Sequence, residues 1–146
     1  MNNPTIYSIE YVTRSQCSIR PHEIVEVSSS NFSGEWSSLE IAPNSGELSD
    51  NESTDQGGNK SHSTTVRFFI PGTSAEQKNE LNDLSDYPHV YRITDGEGKQ
   101  YIIGSNIFRA YLTYGDAISA TAAGRKGYNC EIRCRSIAGP LIYSAS

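Results

Sequence analysis

The side chains that could do chemistry are few and scattered. Histidines stand at positions 22, 62 and 89, and none has a second ligand at the spacing a zinc site requires. His22 reads as a surface histidine. His62 falls in a polar stretch expected to be mobile. Serines abound, but no G-x-S-x-G elbow presents one as a nucleophile. His89 would gain a catalytic reading only from a deep pocket joining it to a carboxylate and a Ser or Cys. Asp95, Glu97 and Asp116 invite an acid/base or metal reading, yet nothing in their spacing sets their separation. No oxyanion donor accompanies them. Glu47, Asp50, Glu52 and Asp55 suggest calcium, but their spacing departs from the D-x-[DN]-x-[DN]-G loop with Glu at its twelfth position. They read as a solvated acidic loop. Gly96-Glu97-Gly98 is no phosphate cradle, because a dinucleotide fingerprint is longer and opens a helix, whereas this one opens a strand. The expectation is a non-enzymatic chain with no catalytic residue, no metal site and no cofactor.

The three cysteines fit a reducing compartment. Cys130 and Cys134 lie on one extended run, which separates their Cα atoms by ~13 Å at ~3.3 Å per residue. A disulfide needs less than about 7 Å, so they do not bond to each other. Cys17 could pair with Cys130 or with Cys134, or all three stay reduced and half-buried. No basic-then-apolar leader opens the chain and no 18-residue apolar run occurs, so a cytoplasmic product without a membrane span is expected. The N-x-[ST] triplets at Asn31, Asn51 and Asn59 then read as chance.

The net charge of −5 argues against general nucleic-acid binding. Its distribution is uneven. Residues 1–89 carry 5 Lys+Arg against 13 Asp+Glu, and residues 90–146 carry 7 against 4. That split either cancels inside one fold or lets the acidic part of one copy meet the basic part of the next.

These groups must be positioned mostly by strands. Only 36% of the residues are apolar, and 9 Tyr stand among them, which favours sheet over helix. A hairpin is expected over residues 90–103, turning at Asp95-Gly-Glu-Gly98, with Thr94 facing Lys99 and Arg92 facing Tyr101. Further strands are expected over 5–13, 17–20, 22–28, 35–42, 65–70, 107–114 and 128–136, with 141–143 as an edge strand or tail. Trp36 reads as core. Thr73 and Glu76 match a capping box and open one short helix to about Leu84, docked through Leu81 and Leu84. Residues 43–63 hold one apolar side chain, Leu48, and read as a long mobile loop inside a single domain, since so polar a stretch cannot offset its ordering entropy. The cleanest alternation is residues 128–136. Tyr128, Cys130, Ile132 and Cys134 face in, and Asn129, Glu131, Arg133 and Arg135 face out.

The expected fold is mainly β: an antiparallel sandwich or partly open barrel of about eight strands with one short covering helix, residues 1–146 forming one domain. Val90, Ile93, Thr94, Asp95, Gly98, Tyr101, Ile102, Ile103 and Gly104 follow the pattern V-x-x-[LI]-T-D-x-x-G-x-x-Y-[LI]-[IV]-G. Gly127, Tyr128, Pro140 and Leu141 supply a later G-Y strand ending in x-P-L. Over residues 90–143 this order resembles small prophage-encoded structural proteins of tailed phages, tail or neck components. The resemblance implies a non-enzymatic assembly protein of a phage-like particle, a virion part acting through protein–protein contacts. Its partners would be copies of itself, as a homo-oligomer, or other particle proteins, not nucleic acid or membrane. The expected interaction face is Asn129, Glu131, Arg133 and Arg135. The alternative is a β-sandwich binding module for a carbohydrate or peptide, using Tyr7, Tyr11, Trp36, Tyr87, Tyr91, Tyr101, Tyr111 and Tyr114 as stacking surface.

Overall fold

The strands reach a sheet by two routes: local hairpins where the turn chemistry is strong, and long-range pairings where the apolar alternation is strong. The computed structural model describes residues 6–18, 26–28, 31–33, 35–39, 41, 46–54, 56–58, 60–72, 74–105, 108–118, 126–136 and 140–144. Ten strands and one helix run in the order β1 (Ile6–Thr13), β2 (Glu26–Ser28), β3 (Ser37–Leu39), β4 (Glu47–Thr54), β5 (Lys60–Pro71), α1 (Ala75–Asp86), β6 (His89–Asp95), β7 (Gln100–Ile103), β8 (Ala110–Ile118), β9 (Lys126–Ser136) and β10 (Leu141–Ser144). They form one open, mostly antiparallel sheet with two limbs. The first limb runs β3-β1-β6-β7-β10-β2, and the second runs β8-β9-β5-β4. The single pairing His89↔Ala110 joins them.

The main core lies between the limbs. It takes Ile9, Tyr91 and Ile93 from the first, Val66, Phe68, Leu112 and Ile132 from the second, and Leu81 and Leu84 from the helix. The helix touches both limbs by hydrogen bonds. The Tyr11 hydroxyl donates to Glu80 at 2.8 Å, and the Tyr114 hydroxyl donates to Asn82. A second cluster lies on the opposite face of the first limb, where Val12, Val90, Ile102, Leu141 and Tyr143 pack with Cys17, Val27, Phe32 and Trp36. The first limb is therefore covered on both faces. The outer face of the second limb is lined by exposed or half-buried side chains among the described residues.

Several sequence expectations need correction. Residues 47–54 and 60–63, expected in a mobile loop, are paired strand. Their register runs without a shift from Glu47↔Arg67 to Thr54↔Lys60. The stretch is polar because β4 is exposed along nearly its whole length, so it never needed an apolar face. The β6–β7 hairpin is offset by one residue from expectation, with Thr94 opposite Gln100 and Ile93 opposite Tyr101. Asp95 itself pairs with Lys99, whose carbonyl accepts from the Asp95 N–H at 2.9 Å. Only three residues remain in the loop, and Gly98 takes φ 88° to close it. A slip of one residue would turn Ile93 and Arg92 to the wrong faces. A register shift between Ile6 and Ser8 also brings Ile6 and Ile9 into the same core, where plain alternation would part them.

The helix starts one residue later than expected. Ser74, not Thr73, is the cap: its Oγ accepts from the Gln77 N–H, and Gln77 Oε1 accepts from the Ser74 N–H, both at 3.2 Å. Strand β10 is not an edge, because β2 flanks it in parallel, Tyr143 opposite Val27. The region expected as strand over 22–28 appears only as β2. Residues 19–25, including His22, lie outside the described residues, as do 119–125. All three cysteines are buried, and none forms a disulfide. No described helix is long and apolar enough to cross a membrane.

Candidate functional site

The residues singled out on β9 share one surface with their neighbours on three other strands. β9 alternates so that Tyr128, Cys130, Ile132 and Cys134 are buried while Asn129, Arg133 and Arg135 are exposed and Glu131 is half-buried. Pairing carries this surface sideways. Glu47 on β4 lies opposite Arg67 on β5, Arg67 opposite Glu131 on β9, and Glu131 opposite Thr113 on β8. The next row is Ser49, Thr65, Arg133 and Tyr111, and Ser63 faces Arg135 beyond it.

The charges on this surface alternate in sign and satisfy one another. Arg67 Nη1 lies 3.5 Å from Glu47 Oε1, and Arg67 Nε lies 3.3 Å from Glu131 Oε2. Arg133 donates to the other oxygen of Glu131. The Arg133 and Arg67 guanidiniums hold the Glu131 carboxyl below the usual carboxylate range. Exposed pairs of this kind contribute ~0–1 kcal/mol each, so they order the surface more than they stabilise the fold. Beside the row lies a shallow groove of about 390 Å³, bounded by Phe69, Asn129, Thr113 and Gly115.

The charge split found in the sequence is partly cancelled within the fold. Arg67–Glu131 pairs a base of the acidic half with an acid of the basic half and leaves the split as it was, whereas Glu10–Arg92 pairs an acid of the acidic half with a base of the basic half and offsets it. The second of these is the best-built polar cluster described. Arg92 Nε and Nη2 donate to Glu10 Oε1 at 3.0 and 2.8 Å, and the guanidinium lies 4.4 Å from the Trp36 ring and 5.1 Å from that of Tyr143. Trp36 is half-buried and packs 4.9 Å from Phe32. Sequence reasoning missed this cluster. Glu10, Trp36, Arg92 and Tyr143 are far apart in the chain, and only the β1–β6 register brings the ion pair together.

The candidate chemical residues have structural partners. Asp95 Oδ1 accepts from the Glu97 and Lys99 N–H groups at 2.9 Å each, which makes Asp95 the keystone of its turn. The side chain of Asp116 lies outside the described residues. His89 Nδ1 sits 2.8 Å from the Tyr87 carbonyl, and its ring packs against Tyr11 and Tyr91. His62 Nδ1 lies 2.7 Å from Asp50, and its Nε2 lies 3.3 Å from Glu52. Thr64 Oγ1 also donates to Asp50, at 3.0 Å. The acidic residues of the expected loop are thus pinned across the β4–β5 ribbon, except Asp55, which lies outside the described residues. Among the described residues no group of three or more His, Cys, Asp or Glu has the arrangement of a metal site.

Burial pushes the Cys130 thiol up to about 12 and the Cys134 thiol up to about 11, well away from reactive thiolates. Burial and then Glu80 raise Tyr11 to about 12. Tyr91 is fully buried, its pKa also raised by burial, and its hydroxyl has no hydrogen-bond partner among the described residues.

Among the described residues the aromatics do not form a platform. Tyr87 and Tyr111 are exposed, Tyr91 is buried, and Tyr11, Trp36, Tyr101 and Tyr114 are half-buried. The side chain of Tyr7 lies outside the described residues. Tyr111 shares the outer face of the second limb with Phe69, but two strands and four residues separate them. Compared with known proteins, the chain matches no family model, no curated protein and no solved structure.

Proposed function

We propose that this chain is a non-enzymatic assembly protein of a phage-like particle, a tail or neck component that works through protein–protein contacts. The observation that carries the reading is the asymmetry of the sheet. The second limb turns a flat field of paired charges and small polar side chains outward and ends in an eight-residue strand, β4, whose far edge meets no other described strand. Flat polar faces and open strand edges are surfaces that a neighbouring subunit can complete. Asn129, Glu131, Arg133 and Arg135 lie at the centre of that field. The resemblance of residues 90–143 to tail and neck proteins supplies the context.

Light scattering over a wide concentration range, together with mass spectrometry of gradient-purified particles from the native source, tests the reading. Oligomers, or the chain within particles, support it. A monomer at every concentration that is absent from all particles overturns it.

The groove beside Phe69 and Asn129 favours a second reading, a β-sandwich module that takes a peptide or a sugar on the same outer face. Its size suits one or two residues of either. Binding lost on Phe69→Ala, with the fold intact, would support it.

A further inference from the structure

We propose that the edge of β4 that meets no other described strand takes up an extended basic segment of a partner protein as an added antiparallel strand. This rests on the assembly reading for the partner being a protein, and it names that partner's chemistry.

Three features of the edge point to it. The pairing of β4 with β5 has no register shift over its eight residues, so no bulge interrupts the ladder. No proline interrupts it. Natural edges are commonly shortened, bulged, broken by proline or charged to prevent such pairing, and of these devices β4 carries only charge. The third feature is charge. Glu47, Asp50 and Glu52 lie along β4, and the described bases facing them are Arg67, which is shared with Glu131, and His62. The strand remains acidic after its internal pairing is counted.

That charge also counts against the simplest occupant, a second β4, in the two registers of fullest overlap. A two-fold axis normal to the sheet and centred on Asp50 sets the two Asp50 carboxylates opposite each other. Centred on Asn51, it sets Asp50 opposite Glu52 of the other copy, twice. Like charges directly opposite across a ladder are destabilising. A basic strand meets no such conflict, and the same carboxylates that repel a copy then select the partner. The alternation places Asp50 and Glu52 on one face and Glu47 on the other. An antiparallel partner therefore needs Lys or Arg at two positions two residues apart on one face, and a third basic residue three positions further along, on the opposite face.

The test is fluorescence anisotropy with the full chain and a labelled peptide, acetyl-Thr-Lys-Thr-Lys-Val-Thr-Lys-Thr-amide. Saturable binding is expected. It should weaken at least tenfold when every second peptide bond is N-methylated, and vanish when the lysines are replaced by glutamates. The double variant Asp50→Lys/Glu52→Lys should weaken it at least tenfold. Glu47→Lys, which faces only Arg67, serves if the double variant unfolds. Absence of binding, or binding indifferent to N-methylation, overturns the edge assignment, as does a dimer that forms through β4 itself. If the peptide fails while the chain still enters oligomers or particles, only the edge assignment falls. If the peptide binds as described but no oligomer or particle contains the chain, the edge assignment stands and the particle role falls.

Discussion

The two limbs of the sheet meet water differently, and the difference separates stability from contact. In the first limb, β6 buries Tyr91 and Ile93 toward the main core and Val90 toward the second cluster. Its described ion pair, Glu10–Arg92, is largely enclosed, with side-chain exposures of 21% and 14%. In the second limb, the same kind of cross-strand pair, Arg67–Glu47, stands in solvent at 58% and 67%. A strand covered on both sides has no surface left to offer a partner. A strand covered on one side keeps half its side chains for recognition and contributes less to the core.

The largest expected effect that would sharpen this contrast is in the covered limb. Ile93→Ala removes a buried side chain between two packed strands and should cost ~2–5 kcal/mol in denaturant unfolding. Thr65→Ala, on the outer face of the second limb, should stay within about 0.5 kcal/mol. Equal losses would break the comparison.

Titration comes next. Cys130, Cys134 and Tyr11 hold their protons to about 12, 11 and 12 in the folded state, against ordinary values of 9.0 for the thiols and 10.0 for the phenol. A raised folded pKa stabilises fully below the ordinary value and is lost as pH rises toward the folded one. Stability should therefore fall from about pH 9 upward, by up to ~1.4 kcal/mol per pH unit for each buried thiol and by less for the partly exposed Tyr11 phenol. The lowered carboxyl of Glu131 acts at the other end: its contribution is present above the ordinary carboxylate range and fades as pH falls. Because its partners Arg67 and Arg133 stand in solvent, the acid limb should be shallow. Urea midpoints from pH 3 to 11 would show the two slopes.

Arginine deletions should follow the same order. Arg92→Ala leaves Glu10 part-buried and the Trp36 and Tyr143 faces without their cation, and should cost ~1–3 kcal/mol. Arg133→Ala should cost less than ~1 kcal/mol while weakening any contact made through the outer face. The smallest effect has the opposite sign. Tyr91→Phe removes a buried hydroxyl that has no partner among the described residues, and should be neutral or stabilising by up to ~1 kcal/mol in thermal unfolding.

Fold class was readable because it rests on alternation, and alternation is strongest where one face is buried. Residues 128–136 therefore revealed both the core-facing Cys130 and Ile132 and the outward Asn129, Glu131, Arg133 and Arg135. Where both faces of a strand are wet, no periodicity survives, so β4 read as loop. Turn chemistry located the 95–98 bend but left its register open by one residue, because Asp95 serves both as a strand partner and as a turn acceptor. The parallel β2–β10 pair and the Glu10–Arg92–Trp36–Tyr143 cluster left no trace in the sequence. Each depends on distant segments meeting, which local pattern does not encode.

That dependence has a kinetic consequence. Glu10 and Arg92 are separated by 82 residues, and Arg67 and Glu131 by 64, so each limb is joined across a long stretch of the chain. The β4–β5 and β6–β7 hairpins are assembled from neighbours, as is the β8–β9 pair across a longer connection between Ile118 and Lys126, and short hairpins close within ~1–10 μs. The long-range ladders must await loop closure, which places two-state proteins of high contact order in the millisecond-to-second range. During refolding the two hairpins stand early, with their outer backbones unsatisfied, and the acidic residues along β4 then act as guards against clumping before any partner is met.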